Sequence, residues 1–202
     1  MARYTGPKNK LSRKVGEDLG LKTNSLKVAR RLMIRPGQHG AKGRRKLSDY
    51  GVQLKEKQKL KYIYGILEKQ LKKVYTEAAR RETATGATML SLLERRLDNV
   101  VYRLNWAPTR AAARQLVSHA HVRVNNKRMD VPSYRVKVGD VISLSDKAIK
   151  IPFVAELLKE EPKASVEWLE KKRAVAKVSR LPVREDIKES IDEQLIVEYY
   201  SR

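Results

Sequence analysis

Leu92-Leu93-Glu94-Arg95-Arg96-Leu97-Asp98-Asn99-Val100-Val101-Tyr102-Arg103-Leu104 is the stretch from which the fold can be read. Leu90, Leu93, Leu97, Val100, Val101 and Leu104 recur at three- and four-residue steps, the apolar stripe of an amphipathic helix. Its polar side carries Glu94, Arg95, Arg96, Asp98, Asn99 and Arg103. Asn105-Trp106-Ala107-Pro108 ends that helix, because proline disfavours helical geometry at the residue before it. Thr109 suits the N-cap of a further helix running to about His119, with Ala113, Leu116, Val117 and Ala120 inward. Arg110, Arg114, Ser118 and His121 are spaced to share its outer face.

Downstream the period changes to two. Val122 and Val124 alternate with Arg123 and Asn125, and Asn125-Asn126 is a tight-hairpin pair. Val131, Tyr134, Val136 and Val138 read as a continuing strand, Gly139-Asp140 as a turn, and Val141–Leu144 as the next strand. Residues 88–150 are therefore expected to form two helices packed on a small antiparallel sheet. Beyond them lie a short helix from Phe153 to Lys159 and strands near Trp168 and at Val175–Val178. Ser190-Ile191-Asp192-Glu193 has capping-box spacing ahead of a final apolar helix, expected to pack on the first helical region.

Upstream, Leu60, Ile63, Leu67, Leu71 and Val74 mark another helical stripe beginning near Ser48, with Gly86 closing the region. Residues 1–46 show little periodicity and mix Gly and Pro with Arg and Lys; Pro36-Gly37-Gln38-His39-Gly40 reads as a turn. So basic a segment is expected to have little structure of its own before it wraps a partner. It lies against phosphates or else is a solvated arm, and composition leaves both open.

Charge narrows the function. The 202 residues carry 45 Lys and Arg against 23 Asp and Glu, a net +22. Residues 1–50 hold 14 basic and 3 acidic groups and residues 51–150 hold 21 and 9, whereas residues 151–202 hold 10 and 11. A charge of that size repels itself on folding and calls for a polyanionic partner, met by the first three-quarters of the chain. Cysteine is absent, which excludes disulfides and Cys-ligated zinc or iron. No apolar run approaches the roughly 18 residues of a membrane span, and the N-terminus lacks the apolar core of a secretory signal. A reducing cytoplasm or an organelle matrix fits, with no membrane partner.

The two quoted runs, 92–104 and 113–125, resemble the opening of an RNA-binding module shared by several translation proteins. The flanks narrow the likeness. Pro36–Gly40, Tyr50-Gly51-Val52-Gln53-Leu54-Lys55-Glu56-Lys57, Tyr64-Gly65-Ile66-Leu67-Glu68-Lys69-Gln70, Leu181-Pro182-Val183-Arg184 and Glu193–Ser201 resemble the bacterial-type family of small-subunit ribosomal protein four. The resemblance implies an α+β protein: a discontinuous helical domain, an inserted RNA-binding module of helices on a small antiparallel sheet, and a basic N-terminal arm. The boundaries expected are 1–46 for the arm, 47–87 for the first helical part, 88–178 for the module and sheet, and 179–202 for a return segment. It implies a structural constituent of the small ribosomal subunit that binds the 5′ domain of 16S rRNA early in assembly. It also implies contact with small-subunit protein five and other small-subunit proteins, and influence on decoding accuracy near the channel through which mRNA enters. Many members of the family hold a zinc-binding cysteine cluster; here Leu11–Arg35 has none, so packing and RNA contact are expected to hold that region.

The candidate RNA contacts follow from charge, shape and stacking chemistry. In the arm they are Arg3, Tyr4, Lys8, Lys10, Arg13, Lys14, Arg35, Gln38, His39, Lys42, Arg44 and Arg45. The helical region offers Tyr50, Gln53, Lys57, Lys59, Lys69, Lys72 and Lys73. The module offers Arg95, Arg96, Arg103, Thr109, Arg110, Arg114, Gln115, Ser118, His119, His121, Arg123, Asn125 and Lys127, with Arg95 and Arg114 expected exposed. For Arg96 and Arg103 pairing on the helix with Glu94, Asp98 or Asn99 is the competing reading. His119 and His121 lack the neighbouring Cys, Asp or Glu that a tetrahedral metal site needs, so no metal or cofactor is expected. The same module occurs in pseudouridine synthases and a tRNA synthetase, but no catalytic motif or phosphate-binding loop accompanies it here, so no enzymatic activity is expected.

Overall fold

A computed structural model describes residues 3–42, 46–159 and 166–202 of the chain. These divide into two compact units: one takes residues up to Met89 together with Glu189–Arg202, the other is Leu90–Lys188.

The first unit is helical. Helices α1 (Lys8–Val15) and α2 (Ser25–Ala29) lie in the segment expected to be unstructured. Leu11, Val15, Leu19 and Val28 are buried there, and α1 packs on α3 (Asp49–Ile63). The expectation of an unstructured arm is corrected: four widely spaced apolar side chains are buried, and α3 supplies a surface for α1, the helix that carries Leu11 and Val15. The stripe read as one helix is two, α3 and α4 (Glu68–Ala79). Between them Gly65 has φ +61, a left-handed conformation open to glycine, and the Ile66 N–H bonds back to the Lys61 carbonyl. Gly86 does not close the region but lies in the first turn of α5 (Thr85–Glu94), which runs on into the second unit. The last helix of the chain, Glu193–Ser201, packs on α3; its cap is the Asp192 carboxylate, which accepts from the Gln194 and Leu195 N–H groups, not Ser190.

The second unit is α+β. Helices α6 (Leu97–Arg103) and α7 (Arg110–Ser118) pack on one another. The long helix expected across residues 90–104 is broken at Arg95-Arg96, where α5 ends and α6 begins. Thr109 caps α7, accepting from the Ala112 N–H. Strands β1 (Val122–Val124), β2 (Lys127–Met129), β3 (Val141–Leu144), β4 (Leu169–Lys172) and β5 (Val175–Val178) form one antiparallel sheet in the order β2-β1-β3-β5-β4. Asn125 and Asn126 both have positive φ, the mirror-image turn that two-residue hairpins need. Helices α8 (Asp146–Ile149) and α9 (Pro152–Lys159) follow β3, and the final helix above is α10.

Residues 131–138 form no strand, correcting the alternation read there; they contain a single bridge, Arg135 to Arg96. Their carbonyls are used elsewhere. Those of Pro132 and Tyr134 accept from the Asp98 and Leu97 N–H groups, satisfying the open N-terminus of α6. The core joins Leu97, Val100, Val101 and Leu104 to Ala113, Leu116 and Val117 and to the inner sheet residues Val122, Val124, Ile142, Ala176 and Val178. Trp106 and Trp168 are fully buried in it.

Candidate nucleic-acid interface

In the second unit the polar faces of the α5–α7 helices meet in a buried ionic knot. Glu94, 1% exposed, accepts from Arg103 Nε at 2.9 Å, Arg103 Nη2 at 2.7 Å and Asn99 Nδ2 at 2.7 Å. Asp98 accepts from Arg96 Nε and Nη2 at 3.1 and 2.7 Å, with Arg114 Nη1 3.7 Å away. Asn99 Oδ1 takes a bond from Arg110 Nε at 2.8 Å, and the Arg110 guanidinium lies 4.5 Å from the Tyr102 ring centre. Ionic pairs so buried are mutually dependent, because removing one partner strands a desolvated charge.

The knot corrects several sequence readings. Arg114 is 6% exposed rather than on the outer face, and Arg96 is equally buried; both are committed to Asp98. Arg103 is committed to Glu94. For Arg96 and Arg103 the salt-bridge alternative is the one the structure contains. Arg95, expected exposed, is half-buried and donates to the Val136 carbonyl. Asn125 is exposed, yet both ends of its amide are engaged, Nδ2 with Asp140 and Oδ1 with the Val141 N–H.

What remains on the surface is a set of basic and polar residues at the end of α7 and on the β1–β2 hairpin. Gln115, Ser118 and His119 are exposed at the end of α7, His121 is half-buried, and Arg123 and Lys127 are exposed on the hairpin. Arg128 was missed by the sequence reading, although it had a signal. A two-residue Asn-Asn turn fixes Val124 opposite Lys127 and therefore Arg123 opposite Arg128. Two guanidinium groups directly across a strand pair repel each other, and neither pairs with a carboxylate among the described residues. The imidazole centres of His119 and His121 are 6.2 Å apart, and no cluster among the described residues could hold a metal ion.

The first unit divides its candidates the same way. Gln53, Lys57 and Lys59 are buried, correcting their assignment to the surface. Gln53 donates to Glu198, Lys57 to Glu68 at 2.9 Å while lying 4.3 Å from the Tyr199 ring centre, and Lys59 pairs with Glu17 at 2.7 Å. These residues tie α10, the start of α4 and the segment just after α1 to α3. Apart from the Lys59–Glu56 pair three residues apart, their partners lie between 11 and 145 residues away, where local spacing could not identify them. Arg13 is likewise engaged, donating to the carbonyls of Ile34 and Arg35, and Arg35 itself is half-buried.

Arg3, Tyr4, Lys10, Lys14, Gln38, His39, Lys42, Tyr50, Lys69, Lys72 and Lys73 are exposed. Arg44 and Arg45 lie outside the described residues. Lys8 is half-buried, and burial together with the charges of Arg3 and Lys22 holds its amine below the usual lysine range. Cations crowded against one another in this way are stabilised by a polyanion.

The chain was compared with known proteins. Residues 3–94 match the family profile described as the ribosomal protein S4/S9 N-terminal domain, and residues 95–142 match the S4 domain. The small ribosomal subunit protein uS4 of Methylobacillus flagellatus is 50% identical across all of this chain and 98% of its own length. The uS4 proteins of Akkermansia muciniphila and Parabacteroides distasonis are 50% and 48% identical, each over the full length of both chains.

Proposed function

The chain belongs to the family of small ribosomal subunit protein uS4, and on that premise we propose that it is a primary binder of the 16S rRNA 5′ domain that nucleates small-subunit assembly. Proteins of this family are structural, RNA-binding constituents of the ribosome and not enzymes. The observation that carries the finer reading is the Arg123–Arg128 pair beside exposed Gln115, Ser118 and His119, within a region that includes the S4-domain match. Guanidinium groups there can bridge phosphate oxygens, and the neighbouring polar groups can reach riboses. The exposed cations of α1, α4 and residues 38–42 supply further phosphate contacts, and the charge crowding at Lys8 supports that role.

The same proposal takes in the contact with small-subunit protein five, the influence on accuracy near the path of mRNA, and a place on cytoplasmic ribosomes. It also keeps the division of the chain at 46, 87 and 178. These finer points rest on the family resemblance.

A filter-binding salt series with a 16S rRNA 5′-domain transcript, using a large-subunit rRNA fragment as competitor, tests the reading. Arg123→Ala with Arg128→Ala is expected to weaken binding roughly tenfold and to lower the slope of log K against log salt by about 2, since two phosphate contacts are lost. The melting temperature should not fall. Equal binding to both RNAs, or an unaltered slope in the double variant, would overturn it.

A further inference from the structure

The second unit contains a cleft of about 460 Å³ between the α6–α7 turn and β4, within the roughly 300–1,000 Å³ typical of small-molecule sites. We propose that this cleft binds a single ribonucleotide, its phosphate at Lys171 and its base against Pro108 and Tyr102.

Lys171 lies on β4 opposite Ala176, on the same sheet face as buried Leu169. It pairs with no carboxylate among the described residues, and burial alone depresses its amine below the ordinary lysine range. Bringing an anion to it would offset that desolvation. A lysine on an edge strand also discourages unwanted strand pairing, but that role would be served by an amine in water. The second observation is Asn105. It is held at φ +54 at the α6–α7 turn, and its Nδ2 is buried without a hydrogen-bond partner among the described residues. An unsatisfied buried donor is destabilising, and a base carbonyl or ring nitrogen would satisfy it.

The remaining charges permit an anion. Arg180 is held by Asp186 at 2.7 and 2.8 Å and by Glu167 at 3.2 Å. Lys188 joins Lys171 as a lining cation without a described acid partner, against one such acid, Glu185. Half-buried Tyr102 and exposed Pro108 give the face of a base a surface to lie on, and stacking on an aromatic ring carries no sequence preference.

The nucleotide could be one extruded from bound RNA, in which case the inference rests on the RNA-binding reading above, or a free mononucleotide. The chain has two tryptophans, and Trp106 and Trp168 directly adjoin lining residues in sequence, so intrinsic fluorescence reports the site. Full-length protein is titrated with AMP and with UMP. A saturable change is expected, weakened at least tenfold by Lys171→Met and by Asn105→Asp, each variant keeping the wild-type melting temperature. If Lys171→Met does not fold, Asn105→Asp, whose side chain tolerates the left-handed backbone, carries the comparison.

In a parallel arm, a 5′-domain transcript containing 4-thiouridine is crosslinked and the peptides are mapped. Crosslinks within 102–108 or 167–171, together with competition between transcript and AMP, assign the site to an extruded nucleotide. Saturable AMP binding that the transcript does not displace assigns it to a free one. No saturable change with either nucleotide and no crosslink in those peptides would overturn the proposal, as would variants that bind like the wild type. Should the transcript still bind tightly in that case, only the cleft is lost and the rRNA reading stands.

Discussion

A single carboxylate, Glu94, organises the helical face of the second unit. Its oxygens accept three side-chain bonds from Arg103 and Asn99, and Asn99 passes the connection to Arg110. Glu94→Ala removes a buried carboxylate that accepts two bonds from Arg103 and one from Asn99, which costs about 3 kcal/mol. The checking measurement is urea unfolding; a loss under about 1 kcal/mol would mean that water replaces the carboxylate and the knot is dispensable. Glu68 plays the corresponding part in the first unit. Burial would raise its pKa, but hydrogen bonds from Lys57 and Tyr200, with the charges of Lys57 and Lys61, outweigh this and leave it below the usual value. Tyr200, donating to the same carboxylate at 2.7 Å, is pushed well above the ordinary tyrosine range by burial and that bond. A carboxyl whose folded pKa lies below its unfolded value of about 4.3 contributes stability above that pH. The contribution is lost as pH falls through the folded value. Because Glu68 is 44% exposed, it is worth less than about 1 kcal/mol. Acid titration followed by circular dichroism should show it below about pH 4 in the wild type, and Glu68→Gln should lack that increment. An identical acid profile in the variant would remove Glu68 from this role. Residue type alone showed that arginines and acids alternate around Glu94. It could not show that Asp98 draws Arg114 inward from sixteen residues away, and so the site was only partly legible.

Two glycines show what the elements require of the sequence, and they fail for different reasons. At Gly65 an added Cβ meets nothing within 4 Å, so Gly65→Ala carries only the left-handed backbone cost, about 1 kcal/mol. Gly86 sits inside α5, where alanine would ordinarily stabilise by about 1 kcal/mol. Here its Cβ would lie 2.8 Å from Cβ of Glu193, at the start of α10, so the two helices must part. Gly86→Ala is expected to destabilise by about 1 kcal/mol despite better helix propensity. Calorimetric melting of both variants decides; stabilisation by Gly86→Ala would mean that α10 yields freely. The contrast explains which elements sequence could identify. The hairpin was legible because Asn125-Asn126 encodes its turn locally, and α7 because Thr109 and Pro108 mark its start. The α3–α4 break was not, since the apolar stripe from Leu60 to Val74 keeps its spacing across Gly65. Residues 131–138 alternate like a strand, but their backbone groups are engaged by α6 and Arg95. Period alone does not reveal that competition.

At the scale of the chain, the units differ in how they are assembled from sequence. The unit spanning Leu90–Lys188 is contiguous, and its core holds both tryptophans and the inner faces of α6, α7 and the sheet. The helical unit is discontinuous. It depends on α10, more than 100 residues after Met89, for the cover over α3 supplied by Ile196 and for the Tyr75–Tyr200 stack at 4.7 Å. Charge follows a different division, since residues 151–202 are close to neutral while the rest carries the excess. A fragment of residues 90–188 should therefore fold alone, with a dispersed amide spectrum and a cooperative transition. A chain ending at Asp192 should keep that transition but lose the melting of the helical unit, because removing α10 exposes α3 and takes away Glu198, which accepts from buried Gln53, and the Tyr199 ring beside Lys57. The near-ultraviolet signal of Trp106 and Trp168 separates the two events, both residues lying in the contiguous core. If the 90–188 fragment gives a collapsed spectrum, that core draws essential stability from residues outside it, and the division into two independently folding units is wrong. If instead the chain ending at Asp192 melts as one undiminished transition, α10 is a surface appendage, and the burial of Lys57 beneath it has no energetic consequence.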